Sequence, residues 1–202
     1  MKNESAYVSR FNAVLKKVLK AHAADPPEPA EPVTQLIHSF LQWNATQRQA
    51  ELAYGRLMES MVDANDLRVS FVDEVIHLLG PRYPLVEERA ARMHDALQEV
   101  FVREHGMTLT SIASKPKKDA RAYLDSLPGM TPYVAAQVML LCFGAHAVPV
   151  DERLNELLRE LGAVDPEATP EETEAFIERR IKAGEALDTH AAFQDWVDAG
   201  AK

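Results

Sequence analysis

The sequence predicts an all-α protein. Apolar residues recur at steps of three and four along most of the chain, recognisable helix starts and stops bracket those runs, and no convincing strand with a period of two is present. With 202 residues, 47% hydrophobic and 26% charged, the chain can bury a core in one domain of ordinary upper size or in two small lobes.

From Tyr7 to His22 the residues Val8, Phe11, Val14, Leu15, Val18 and Leu19 form the stripe of an amphipathic helix. The segment 25–32 then carries Pro26, Pro27, Pro29 and Pro32, which remove donors and fix φ, so an extended connector is expected there. Leu36, Ile37, Phe40 and Leu41 give the next stripe. After Asn44-Ala45-Thr46 the run to Val62 carries Leu52, Leu57, Met58 and Met61, and Asp63-Ala64-Asn65-Asp66 is expected to break it. A shorter helix over Phe71 to Leu79 stops at Gly80-Pro81, and a long one from Leu85 to His105 is expected to end on Gly106. Pro116 suits the first turn of a helix to Ser126; further helices cover Tyr133 to Phe143 and Glu152 to Leu161. Thr169-Pro170-Glu171-Glu172 has the cap, the first-position proline and the returning glutamate of a helix start, and Phe193, Trp196 and Val197 mark the last helix. Nine or ten helices are expected, without internal repeats.

Composition excludes several classes. The longest apolar run, around residues 134–145, is shorter than the roughly 20 residues of a membrane span, and the N-terminus has no signal-peptide pattern. Cys142 stands alone, so an intramolecular disulfide and a four-cysteine iron–sulfur cluster are both excluded within this chain, and a reducing cytoplasmic setting is expected. The net charge is -9, distributed as -3 over residues 1–110, +1 over 111–151 and -7 over 152–202. Only the middle segment is not acidic. Lys115, Lys117, Lys118 and Arg121 arrive there together, which makes it the place to meet an anion.

The seven histidines show no metal-ligand spacing with a matching Cys or Glu, so no metal is expected. GxSxG, GxGxxG and GxxxxGK[ST] are absent. What remains is Leu124 to Ala136, with Leu127-Pro128-Gly129-Met130-Thr131-Pro132-Tyr133, followed by Cys142-Phe143-Gly144 and Val148-Pro149-Val150-Asp151. This reads as helix, tight turn, helix and a short extended segment that delivers one carboxylate. Backbone amides at the second helix's start can hold a phosphate, aided by the helix dipole. An ordinary packing corner between two helices would read the same way.

The stretch as a whole resembles the helix-hairpin-helix glycosylase superfamily, of which endonuclease III is the type. That family's hairpin reads approximately LPGVGRKTA, then an apolar helix ending in AFG, then AVDTH; here the order is LPGMTPYVA, LLCFG and AVPVDER at matching spacing. Pro32 to Thr46 is similar to the family segment PFELLIAVLLSAQAT, and Phe193 to Gly200 to its HHWLILHG helix. The resemblance spans roughly residues 5–200. It implies a two-lobed all-α fold, with residues 33–130 as a central lobe leading into the hairpin and residues 1–24 with 131–202 as a second lobe formed by both termini. It further implies double-stranded DNA as partner, a flipped nucleotide and cleavage of its N-glycosidic bond.

On this resemblance Asp151 is the carboxylate that stabilises the oxocarbenium-like sugar or activates the water. Its other reading is a helix N-cap. Tyr133 stands where bifunctional members carry the Schiff-base lysine, so no imine forms, and members similar to mismatch glycosylases carry tyrosine there. Gly129, Met130 and Thr131 would meet the DNA backbone; Asn44 would fill the space left by the flipped nucleotide, and Gln47 replaces the aspartate that follows. The resemblance also permits a monovalent cation on the hairpin carbonyls. The cluster cysteines are absent and the sequence stops near Lys202, before the cluster loop would begin. Thr131 replaces the second glycine of the hairpin, where φ > 0 would suit it badly, and Pro132 has no N–H. If Thr131 instead caps the helix, its hydroxyl takes an amide from the DNA, and weaker phosphate capture follows. Two readings result: a monofunctional DNA glycosylase of base excision repair, or a non-catalytic relic of the fold that binds DNA or another protein.

Overall fold

The structure, a computed structural model, describes residues 4–22 and 30–200, with side chains from residue 7 onward. No strand occurs among the described residues, and none of their helices is long and apolar enough to cross a membrane. Twelve α-helices are described: α1 Glu4–Ala21, α2 Pro32–Gln42, α3 Gln47–Ser60, α4 Ala64–Val69, α5 Val72–Leu79, α6 Val86–Glu104, α7 Thr110–Ala113, α8 Lys117–Asp125, α9 Pro132–Phe143, α10 Glu152–Glu160, α11 Pro170–Glu178 and α12 Ala186–Asp198. A 3-10 turn, Ala183–Glu185, precedes α12.

Local chemistry fixes most of the helix starts. Thr46 caps α3 through its hydroxyl and Gln49 answers with its side chain, a reciprocal box repeated by Thr169 and Glu172 at α11. The expected break falls between Ser60 and Ala64, and the segment does more than break a helix: the Asp63 carboxylate accepts from the amides of Asn65 (2.8 Å) and Asp66 (3.0 Å) and so starts α4. Three expectations are corrected. The left-handed residue after α6 is His105 (φ 55°), one position before the expected Gly106. Pro116 sits at the cap of α8 rather than in its first turn. At the end of the proline segment, Glu31 accepts from the amides of Val33 (2.9 Å) and Thr34 (3.0 Å), so Glu31 and Pro32 open α2 instead of extending the connector. Residues 25–29 of that connector lie outside the described residues.

Contacts divide the chain into two units, Pro29–Gly144 and a unit combining Met1–Glu28 with Ala145–Lys202. The division differs from the expected lobes at residues 131–144, because α9 packs on α2 and α8 and therefore belongs with the central unit. Ten of the twelve α9 residues are buried, which is why its sequence is apolar on every side instead of striped. In the terminal unit α1 packs on α12. The Phe11 ring meets Phe176 edge-on at 5.4 Å between centroids and Phe193 at 6.5 Å, and Trp196 lies 6.2 Å beyond Phe193. Buried Asn155 accepts from the Thr173 hydroxyl at 2.7 Å and donates to the carbonyl of Ala168 at 3.0 Å, fixing α10 to α11.

Candidate functional site

Between α8 and α9 the chain turns through Ser126-Leu127-Pro128-Gly129-Met130-Thr131. Gly129 adopts φ +75° and touches the backbone of α6 so closely that an added Cβ would lie 2.4 Å from the carbonyl oxygen of Arg92. Only glycine satisfies both demands. The amide of Met130 closes the turn by donating to the carbonyl of Leu127 at 3.2 Å. Thr131 is extended (φ -113°) and accepts from the amide of Val134 at 3.2 Å, with Pro132 at the first helical position. The feared strain at Thr131 is therefore absent, since the left-handed position falls on Gly129. Of the two arrangements open to Thr131, the cap is the one adopted. Among the described residues the amides of Gly129 and Thr131 donate to no acceptor in the chain, whereas those of Met130 and Val134 do.

Lys115, Lys117 and Lys118 are exposed, but the cluster is not four equivalent charges. The Lys117 ammonium donates to the carbonyl of Phe143 at the end of α9. Arg121 pairs with Asp125 at 2.9 Å one turn along α8. The Lys115 ammonium lies 5.2 Å from the Tyr123 ring centroid, and Arg103 of α6 lies 5.3 Å from the same ring. Arg103 also donates to the carbonyl of Ser126 at 2.9 Å, adding a cation beside the turn that the sequence reading missed. Burial, then the 2.6 Å hydrogen bond to Glu104, keep the Tyr123 phenol protonated far above its ordinary range.

Asn44 lies in the turn between α2 and α3 with φ 54°, and Gln47 is exposed at the start of α3, donating to Glu51 at 2.9 Å. A second turn of the same unit, between α5 and α6, carries Leu85 at φ 51° with 44% of its surface exposed. A bulky apolar residue in the left-handed region is strained and persists only where its surroundings hold it. Arg89, fully buried, is what holds both turns. One terminal nitrogen of its guanidinium donates to the carbonyl of Trp43 and, at 3.0 Å, to that of Pro84, the residues immediately before Asn44 and Leu85. The other terminal nitrogen donates to Phe40, and Tyr83 adds a 2.7 Å bond to the carbonyl of Leu41. Burial pushes the Tyr83 phenol up to about 12, partly offset by Arg89. Neither Arg89 nor Leu85 was singled out from the sequence, because an arginine following two glutamates reads as a solvated face.

Tyr133 is 3% exposed, and its oxygen accepts from the Gln137 side chain at 3.3 Å. The same Gln137 nitrogen donates to Gln42 of α2 at 2.8 Å. Asp151 is 5% exposed and caps α10, its carboxylate accepting from the amide of Leu154 at 3.0 Å. Tyr133 belongs to the central unit and Asp151 to the terminal one. Burial, then the charge of Glu31, push the Cys142 thiol up to about 12, so it is neither a ready nucleophile nor a thiolate ligand. Among the described residues no three His, Cys, Asp or Glu side chains gather where a metal ion could be held.

No family model matches the sequence, and no curated protein matches it either. Solved structures do. A non-covalent endonuclease III–DNA complex aligns with a TM-score of 0.72 at 19% identity, over 97% of this chain and 86% of that one. The fold is that of the helix-hairpin-helix DNA glycosylases. A thermostable thymine-DNA glycosylase aligns with a TM-score of 0.66 at 18% identity over 94% of this chain and 86% of its own. The 3-methyladenine DNA glycosylase of H. pylori, bound to 1,N6-ethenoadenine, gives 0.67 at 13% over 96% and 99%. At such identities the likeness is one of backbone. In this fold α8, the Gly129 turn and α9 form one helix-turn-helix hairpin, and Asp151 opens the next helix of the chain.

Proposed function

We propose that this protein is a monofunctional DNA N-glycosylase of base excision repair, with Asp151 as its catalytic carboxylate and water as the nucleophile. The observation that carries the proposal is the placement of Asp151 at the N-terminus of α10, directly after the hairpin helix of a glycosylase fold. A carboxylate there stabilises the positive charge that develops on the sugar as the glycosidic electron pair leaves with the base. Water then adds to C1′ and loses a proton. The Tyr133 phenol forms no imine, so the chemistry stops at an abasic site.

Double-stranded DNA is the proposed partner. The amides of Gly129 and Thr131 before α9, with Arg103 beside the turn, supply donors for its backbone, and Lys115 and Lys118 add exposed positive charge towards the other end of α8. Half-buried Asn44 and exposed Leu85 sit on turns clamped by Arg89, a position that suits residues placed to enter the stack beside a flipped base. The reaction calls for no iron–sulfur cluster. A monovalent cation at the hairpin would share the Gly129 carbonyl with the Arg92 guanidinium, 3.3 Å away, and like charge disfavours it there.

A second reading, a DNA- or protein-binding module without catalysis, is favoured by the deep burial of Tyr133 and Asp151 and by the inward bonds of Met130 and Val134. Single-turnover excision separates the two. Duplexes carrying T·G, U·G, 8-oxoguanine or alkylated purines are incubated with excess protein, and abasic sites are revealed with alkali. Asp151→Asn keeps an N-cap of similar quality, so its fold survives and loss of product reports chemistry. Catalysis predicts an alkali-dependent product that disappears in Asp151→Asn; no product on any duplex refutes it.

A further inference from the structure

Helix α3 runs for 14 residues, so its ends are ~20 Å apart at about 1.5 Å per residue. The Asn44 turn precedes its first residue. At the far end, an open groove of about 690 Å³ lies among the end of α3, α4 and α5, with Met61, Val69 and Leu78 as apolar lining and Asp66, Asp73 and Glu74 as acidic lining. Apolar side chains in it and next to it in sequence face water: Val69 of the lining is 56% exposed, and its near neighbours Val62 and Phe71 are 89% and 77% exposed. Three large apolar residues left in water within ten positions mark an interaction surface better than they mark a folding need.

Charge decides the occupant. Between residues 57 and 80 stand Glu59, Asp63, Asp66, Asp73 and Glu74 against a single Lys or Arg, Arg68. Arg68 is turned away from this role, bonded to Asn65 at 2.9 Å and Gln98 at 2.9 Å and stacked 4.0 Å over Phe101. Nucleic acid is repelled by such a surface, and a second copy in two-fold contact would present the same carboxylates to itself. We propose that this groove docks a basic amphipathic helix of a partner protein. Its apolar face packs on Met61, Val69 and Phe71, and its lysines or arginines flank Asp66 and Asp73. Because the groove and the Asn44 turn occupy opposite ends of α3, such a partner leaves the DNA-facing turns uncovered.

The test is titration of the ¹⁵N-labelled full chain with a synthetic amphipathic helix of leucine and lysine, about 18 residues or five turns long, against its leucine and glutamate counterpart. The expected result is amide shifts confined to residues 59–78 and binding at least about tenfold tighter for the lysine peptide. Phe71→Ser and Asp73→Lys should each weaken it by roughly tenfold. Serine is a good N-cap, so Phe71→Ser keeps α5, and an unchanged melting curve verifies this. Equal binding of both peptides, shifts centred elsewhere, or self-association of the chain that Phe71→Ser abolishes would each overturn the proposal, the last by making a second copy the occupant.

Discussion

Replacing Arg89 with methionine tests the account of the two clamped turns. The substitution keeps the aliphatic stem but takes donors from the carbonyls of Phe40, Trp43 and Pro84. A buried carbonyl left without a donor costs about 1–3 kcal/mol, so three give an upper figure near 9. Against this, the guanidinium is no longer desolvated, a return of several kcal/mol. The difference between the two leaves an expected net loss of about 3–5 kcal/mol, and at about 2–4 °C per kcal/mol for a chain of this size the melting temperature falls by roughly 10 °C. Far-UV circular dichroism in urea and on heating measures the loss. Because Trp43 lies 5.9 Å from the Arg89 guanidinium, its fluorescence reports the turn directly. DNA affinity should fall with stability, since Asn44 and Leu85 lose their common clamp. A loss below about 1 kcal/mol with unaltered affinity would show that water replaces the arginine and that the turns hold without it.

Three further outcomes follow from the geometry. Gly129→Ala, which forces a Cβ to within 2.4 Å of the Arg92 carbonyl at φ +75°, should cost more than about 2 kcal/mol in denaturation and, on the proposed function, abolish binding to a duplex in a gel-shift assay. Thr131→Gly releases the Val134 amide at a cap cost of a few tenths of a kcal/mol, so duplex affinity measured by anisotropy should rise about threefold; an unchanged affinity would mean that this amide does not face phosphate. His190 is buried and neutral, with desolvation lowering its pKa to about 4 from 6.5. The unfolded chain therefore binds the proton first, and stability present above pH 6.5 is lost as pH falls towards 4, by up to about 3 kcal/mol. His190→Gln should flatten that part of a denaturation series between pH 7 and 4.5.

What the sequence made legible was whatever depends on neighbours a few positions away. Thr169, Thr131 and Asp151 all cap the helices expected of them, because a cap is a contact across three residues. The break before Asp63 was legible, but not that Asp63 starts a second helix, because the same Asp and Asn that end one helix also start another, and only the chain's direction after Val62 decides. Contacts across tens of residues left no such trace. The partners of Arg89 lie 46 and 49 positions away in two of its bonds, and nothing at positions 40–43 signals that their carbonyls need a cation. The basic cluster was found as residues, but the bond of Lys117 to Phe143, 26 positions on, was not; the Arg121–Asp125 pair, four positions apart on α8, was within reach of the spacing. Leu85 was invisible for a different reason: strain belongs to the backbone, and a leucine at φ 51° is spelled like any other.

The bond from Lys117 to the carbonyl of Phe143 joins the first residue of α8 to the last of α9. It works as a latch across the open end of the hairpin. Binding to DNA is driven largely by small cations set free from the phosphates, with a salt slope of about 0.9 for each phosphate neutralised. A lysine so held keeps its charge and two further N–H donors, so it can neutralise a phosphate without letting go. If the chain binds DNA as proposed, a phosphate at this open end would meet a lysine whose position the latch has already set, so that grip would cost the hairpin none of its stiffness.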